Sequence, residues 1–394
     1  MTRRHAAARG MTLIELMVAL LIGMILTLAV FGFMATFEGK RRTLNSNADL
    51  DQAGTLAMFQ LDRWVRSAGT GFAQANAYAY GCVLYAAKSN SRILPVSGTL
   101  AAPFASVNPG SAGVFRLAPL LILPDQTTPG VSGKTSDALV LMSAGAGNGN
   151  APTAFSAAAA STLLTLINTV PFSASDLVLL ADKQPTSAGV VSPCLLTQAG
   201  SGVSGGATTT MALGGNWYQS TIDTRSVTDY KDPSSAVAID LGNPSTGLEP
   251  SFQLVGVGDH NTLYSYDLLK VADTPLQARA QGVFEMHALY GVDTNSDGLV
   301  DLWVSPSTSP YTVAELSAGT STAATLLKNI RAVRVGLILR TSQPEKDVVN
   351  TGTSLTLFSD LGGTLTYTRA LSSDEQHYRY RTIEATIPLR NNFL

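Results

Sequence analysis

GMTLIELMVALLIGMILTLAVFGFMATF, residues 10–37, is the stretch that decides the architecture of this chain. From Leu16 to Phe37 it holds no charged side chain. As a helix those residues span roughly 33 Å at 1.5 Å per residue, enough for the hydrocarbon core of a bilayer. A secretory signal has a shorter apolar region closed by a small-residue cleavage site; here the run is longer, and Phe37-Glu38-Gly39-Lys40 supplies no such site. Glu15 stands at the entrance of the run. A carboxylate at a membrane edge costs a few kcal/mol unless it reaches the interface or a partner, which marks Glu15 as a functional residue. On the other side, residues 1–10 (MTRRHAAARG) form a short basic leader with Arg3, Arg4 and Arg9. Lys40, Arg41 and Arg42 follow the apolar run, so flanking charge gives only modest support for a cytoplasmic leader.

A basic leader, Gly10, apolar Met11, Glu15 and an unbroken apolar helix together resemble the type III signal of type IV pilins and pseudopilins. The resemblance implies cleavage by a prepilin peptidase between Gly10 and Met11, then N-methylation of Met11. Phe is the commonest first mature residue in that family, and Met11 departs from it. It also implies a docking role for Glu15, whose carboxylate would neutralise the new amine of a neighbouring subunit, since an unpaired charge in an apolar setting is costly.

The helical pattern extends beyond the apolar run. Leu50, Ala53, Ala57, Leu61, Trp64, Val65 and Ala68 recur at three- and four-residue steps, one face of an amphipathic helix. No proline occurs before Pro95, so one helix from about residue 12 to 68 is expected, with Gly23, Gly32, Gly39 and Gly54 as points where it can bend. Gly69 and Gly71 suit its C-terminal end. The Arg66-Ser-Ala-Gly69 exit followed by Gly81-Cys82 resembles the PilW group of minor pilins.

Composition bounds the remainder. The chain has 394 residues, of which 14% are charged and 45% hydrophobic, with 26 Lys+Arg against 28 Asp+Glu. This excludes an intrinsically disordered chain and a nucleic-acid binder driven by a basic field. One long apolar run argues against a multispan membrane protein. Loss of the leader would remove three arginines and move the net charge from −2 to −5. Residues 70–394 form a head large enough for two lobes. Strands are expected at 137–142, 176–180, 262–267, 333–340 and 382–387, with 281–290 as a strand opened by a turn. Residues 138–175 and 184–222 contain no Asp, Glu, Lys or Arg; they suggest low-complexity loops or an insertion facing other subunits.

Cys82 and Cys194 are the two cysteines. An even pair in an exported domain suggests one disulfide, with two free thiols or an intermolecular bridge as alternatives. Asp293-Thr-Asn295-Ser-Asp297-Gly298-Leu299-Val-Asp301 places oxygen ligands at alternate positions before a glycine turn, as a Ca²⁺ loop does. Asp293, Asn295, Asp297, the Leu299 carbonyl and Asp301 are the candidate ligands. The twelfth position is Val304, so the bidentate Glu of an EF-hand is missing, and a tight Asp/Asn/Gly turn is the competing reading. Gly202-Val-Ser204-Gly-Gly206 matches G-x-S-x-G formally, without the preceding apolar strand of a nucleophile elbow. There is no HExxH, P-loop or paired CxxC.

The chain's end, with its late strand, a Tyr/Arg cluster at 377–381 and Leu389-Arg390-Asn391, looks like the end of PilW proteins. The expected fold is therefore α+β and pilin-like: a leader (1–10), a transmembrane and filament-core helix (11–37), its amphipathic continuation (38–69) and a large, mostly antiparallel β head (70–394) with loop-rich insertions. The resemblance implies a minor pilin without catalytic activity, anchored in the inner membrane with its head in the periplasm and later in the pilus at the cell surface. Its implied partners are other minor pilins, the major pilin and a PilY-type adhesin, with the prepilin peptidase as processing enzyme. Priming and tip formation would support twitching motility, adhesion or DNA uptake, with no direct nucleic-acid binding. A pseudopilin of a type II secretion system, GspJ-like, is the alternative; a membrane-anchored periplasmic enzyme is a third class.

Overall fold

In the computed structural model the described residues are 11–111, 113–127, 135–145, 151–270 and 275–393. They fall into two compact units, up to Asp51 and from Gln52 onward. Helix α1 comprises Leu13–Ser67 and contributes residues to each unit.

In the first unit α1 contains Leu13–Met34, 22 residues with a mean hydropathy of 2.7, long and apolar enough to cross a membrane. Leu16, Leu20, Ile25, Phe31 and Phe33 are all exposed here. An apolar surface of this extent needs lipid or other apolar helices as its environment.

In the second unit the remainder of α1 buries Ala57, Leu61, Val65 and Ala68 along one face, with Ala53 and Trp64 half-buried. Gly54 shares that buried face, and a Cβ added there would collide with the side-chain tips of Leu339 and Ile383. It is thus a close-approach glycine, not the bend expected from the sequence. At the exit, Gly69 and Gly71 both adopt positive φ (83°), and the Gly69 amide donates to the Met142 carbonyl at 2.8 Å.

Among the described residues the head contains three larger sheets. The first is six-stranded, in the order β2 (Ser91–Leu94), β1 (Leu84–Lys88), β8 (Cys194–Gln198), β7 (Leu177–Asp182), β12 (Ala236–Gly242), β5 (Thr153–Ala154). The second has five strands: β15 (Leu276–Gln281), β14 (Thr262–Asp267), β13 (Ser251–Gly258), β4 (Ser136–Ser143), β3 (Leu120–Thr127). The third has four: β17 (Leu302–Val304), β16 (Val283–Val292), β18 (Ile330–Arg340), β21 (Tyr380–Pro388). Smaller hairpins pair β6 (Leu163–Thr165) with β9 (Thr210–Ala212), β10 (Thr221–Ile222) with β11 (Arg225–Ser226), and β19 (Ser354–Leu357) with β20 (Tyr367–Ala370). Short helices α2 (Asn76–Ala79) and α3 (Val313–Leu316) and the longer α4 (Ser321–Asn329) complete the head.

Long β16 and β18 pair along nearly their whole length, and β18 pairs with β21 on its other side. The strands expected at 137–142, 176–180, 262–267, 333–340 and 382–387 are β4, β7, β14, β18 and β21. The turn expected near residue 281 is Gly282, with φ 85°, between β15 and β16. Pairing is antiparallel except for β1 with β8 among the described strands.

The described parts of the uncharged stretches are not simply loops. Phe155, Leu164, Leu166, Phe172, Leu195, Met211 and Leu213 are buried together in one apolar cluster with Val178, Leu180 and Ala238. Strands β6, β8 and β9 carry Leu164, Leu195 and Met211 inward, and Phe155, Leu166, Phe172 and Leu213 join them from the adjoining segments, so apolar burial, not charge, organises them.

Candidate functional site

At the start of α1, Met11 is exposed and Thr12 precedes the first helical turn. The Thr12 amide and hydroxyl both donate to Glu15 Oε2 at 3.0 Å, and the Glu15 amide donates to Thr12 Oγ1 at 3.4 Å. This is a reciprocal capping box: Thr and Glu three residues apart each satisfy a backbone N–H that the first turn leaves without an intrahelical acceptor. The sequence pattern Thr-x-x-Glu carries that signal, although Thr12 is not singled out by composition. Gly10 lies outside the described residues. Cleavage between Gly10 and Met11 would leave Thr12 with its amide N–H, so the cap survives processing. The geometry holds the carboxylate at the N-terminal end of the apolar helix and fixes its direction.

The opposite end of α1 is bound to the C-terminus. Asn391 Nδ2 donates to the Arg66 carbonyl at 3.2 Å, the Ala68 carbonyl at 3.0 Å and Thr70 Oγ1 at 2.9 Å. The neighbouring Asn392 is buried, and its Nδ2 donates to the carbonyls of Leu327 (2.9 Å), Lys328 (3.2 Å) and Ile330 (2.7 Å) around the end of α4. Its Oδ1 accepts from Tyr80 Oη at 2.8 Å. Two consecutive asparagines therefore supply side-chain donors to the carbonyls at two helix C-termini, where intrahelical donors run out. The sequence marks Leu389-Arg390-Asn391 as a terminal pattern but does not say what it holds.

Cys82 and Cys194 are joined by a disulfide across 112 residues. It lies where β1 and β8 pair in parallel, Leu84 opposite Cys194, and both cysteines are fully buried.

The candidate calcium loop follows β16. Asp293 Oδ1 accepts from the Ser296 amide at 2.6 Å, and Oδ2 accepts from the Gly298 amide at 2.9 Å and from Arg331 Nε at 3.0 Å. Asp301 Oδ2 accepts from the Thr294 amide and hydroxyl at 2.8 Å. Asn295 Oδ1 takes the Asp297 amide at 2.9 Å, and Asp297 Oδ1 takes the Leu299 amide at 2.8 Å. Carboxylates and amide oxygens are thus turned onto backbone N–H groups and one guanidinium, and Arg331 already supplies the positive charge at Asp293. Asp293, Asn295, Asp297, Leu299 and Asp301 here build the tight Asp/Asn/Gly turn, and among the described residues no group of three or more His, Cys, Asp or Glu is placed to hold a metal ion. Burial acts to raise the Asp293 pKa, but the Gly298 amide, Arg331 and the Ser296 amide outweigh it and hold the carboxyl below the usual range.

A buried charged cluster lies where the second and third sheets meet. His287 on β16 has Nδ1 3.7 Å from Asp137 on β4 and Nε2 3.6 Å from Glu285. Its ring stacks on Tyr367 of β20, centroids 3.6 Å apart. Glu285 accepts from Arg369 Nε at 2.5 Å and Tyr367 Oη at 3.0 Å, and Arg369 also pairs with Glu375. Desolvation works to lower the His287 pKa, but the two carboxylates prevail and push it up to about 9. Glu285 and His287 sit two residues apart on one strand, hence on one face; that spacing is readable, but their partners come from distant segments.

The prokaryotic N-terminal methylation motif matches residues 6–31, spanning Gly10, Met11, Thr12, Glu15 and the apolar helix as far as Phe31. The family Type IV Pilus-assembly protein W matches residues 255–391, from β13 through Asn391. No curated protein and no solved structure matches the chain. A capped, apolar N-terminal helix under a methylation motif, continued into a β-rich head, is similar to a pilin with a class III signal. Within the type IV pilins it is the PilW family, a structural component of the pilus, that the C-terminal third of the chain matches.

Proposed function

We propose that this protein is a minor pilin that primes polymerisation of a type IV pilus and forms part of its tip complex. The prepilin peptidase would remove residues 1–10, and Met11 would carry the N-methyl group. The precursor would wait in the inner membrane with its head in the periplasm, then move into the pilus at the cell surface. Other minor pilins, the major pilin and a PilY-type adhesin are the partners of this reading.

One observation carries it: Glu15 is held by Thr12 at the entry of an exposed apolar helix, under a methylation-motif match. A fixed carboxylate there suits capture of the cationic amine of an adjacent subunit, after which apolar packing completes the bundle. Glu15→Gln separates the two roles of this residue. Glutamine retains the capping hydrogen bonds but not the charge. Glu15→Gln and Glu15→Ala should both leave Gly10–Met11 cleavage intact and abolish incorporation, read by N-terminal sequencing and by sheared-pilus immunoblots. Normal piliation in the Glu15→Gln strain would remove charge pairing from the mechanism. The PilW match favours a pilus over a secretion pseudopilin; a deletion strain that loses exoprotein secretion but keeps twitching would reverse that choice.

A further inference from the structure

A cleft of about 450 Å³ opens between the first and second sheets, within the size range of small-molecule sites. Its first wall is built from strand ends of the six-stranded sheet, Lys88 and Gln198. Asp267, the last residue of β14, and Glu249, just before β13, form the facing wall. The segment Gly215-Asn216-Trp217 closes a third side. Much of this lining lies outside the residues matched by either family.

The cleft is a shaped site. Gln198 is buried and fully oriented: Nε2 donates to the Ser175 carbonyl at 3.0 Å, and Oε1 accepts from the Trp217 amide at 3.2 Å. That bond, with Gly215 at φ 103°, sets the path of the third wall. The Asn216 carbonyl accepts from the Ser89 amide at 2.7 Å, which leaves its side-chain amide at the exposed mouth. Asp267 is nine-tenths buried, with Oδ1 accepting from the Leu269 amide at 3.0 Å.

Charge in the cleft is balanced internally. Lys270 Nζ lies 2.5 Å from Glu249 Oε1, and Lys88 Nζ stands 5.4 Å above the Trp217 ring centroid. Neither an anion nor a cation would find an excess of opposite charge. What the lining offers is planar amide and carboxyl groups beside an aromatic ring and apolar facets, which suits a ligand rich in hydroxyls with C–H faces.

We propose that this cleft binds a neutral saccharide, with Asn216 and Asp267 as hydrogen-bonding groups and the Trp217 segment as its apolar floor. Burial raises the Asp267 pKa to about 6 against the opposing effects of the Leu269 amide and Lys270, so its hydrogen-bonding role changes from acceptor to donor below that pH.

The test is saturation-transfer NMR on the full-length chain in a detergent without a sugar headgroup, with lactose, cellobiose and N,N′-diacetylchitobiose as probes. Saturation transfer to at least one disaccharide is expected. Asn216→Ala, at an exposed position, should weaken that binding about tenfold through loss of its hydrogen bonds. Ser245→Trp, which fills the cleft from its exposed rim, should abolish it while the thermal melt stays unchanged. Silence with all three probes overturns the proposal. So does undiminished binding in either folded variant, because the ligand would then sit elsewhere.

Discussion

Two residue pairs carry much of the specificity of this molecule, and both act on helix ends. Glu15 and Thr12 complete the N-terminus of α1; Asn391 and Asn392 complete the C-termini of α1 and α4. The first pair is local, three residues apart, and is legible as Thr-x-x-Glu. The second is not legible, because Asn391 meets Arg66 across 325 residues and no local pattern announces the partner. Its importance is testable. Asn392→Ala would leave the Tyr80 hydroxyl without its acceptor and take a donor from the carbonyls around the end of α4, in a buried setting. Such orphaned groups cost about 1–3 kcal/mol each, so a clear fall in melting temperature is expected. Asn392→Asp is the sharper variant: it keeps the shape but sets an oxygen where Nδ2 faced three carbonyls. It should melt at or below Asn392→Ala, and an Asp variant as stable as wild type would show that the donor is not needed.

At the scale of elements, local pattern and distant pairing part company. α1 and the apolar strands β4, β7, β14 and β18 follow from runs and periodicities that each segment carries by itself. The cluster around Phe155, Leu166 and Met211 does not, since β5, β6 and β9 beside it are two or three residues long and its Ala, Ser and Thr neighbours resemble linker composition. The Cys82–Cys194 bond joins the two halves of this arrangement at the parallel β1–β8 pair. A link of that span contributes about 4–5 kcal/mol in the chain-entropy model, so the Cys82→Ser/Cys194→Ser chain should melt well below the oxidised wild type and reducing agent should do the same. The loop after β16 shows how one motif admits two readings. Alternating Asp and Asn oxygens serve a cation or a turn, and here backbone amides and Arg331 take them. Calcium or EDTA should therefore leave the melt unchanged. Because the Asp293 pKa is depressed, its contribution is complete above the unfolded value near 3.9 and disappears as pH falls through the folded value. Asp293→Asn should flatten that acid limb of the stability curve.

For the whole molecule, the decisive group is one that joins sheets rather than one that belongs to any of them. His287 sits on the third sheet, Asp137 on the second, and Tyr367 with Arg369 on the β19–β20 hairpin. Asp137, Glu285 and Glu375 surround two cations, His287 and Arg369, so protonation of His287 brings the buried charge close to balance. A histidine whose folded pKa is raised stabilises fully below its unfolded value near 6.5 and loses that contribution as pH rises through the folded value, about 9. The span corresponds to roughly 3 kcal/mol. Burial also raises two carboxyls, Asp240 to about 7 and Asp267 to about 6; for an acid, a raised folded pKa means that stability falls as pH climbs from the unfolded value toward the folded one. All three groups therefore weaken the fold with rising pH, while Asp293 weakens it only in acid. Stability should be greatest on the acid side of neutrality and decline from pH 6.5 to 9, measured by urea unfolding across that range. His287→Gln removes the ionisable cation between Asp137 and Glu285. It should lower stability at pH 6 and erase most of the decline between pH 6.5 and 9. A variant that keeps the wild-type slope would assign the decline to other groups.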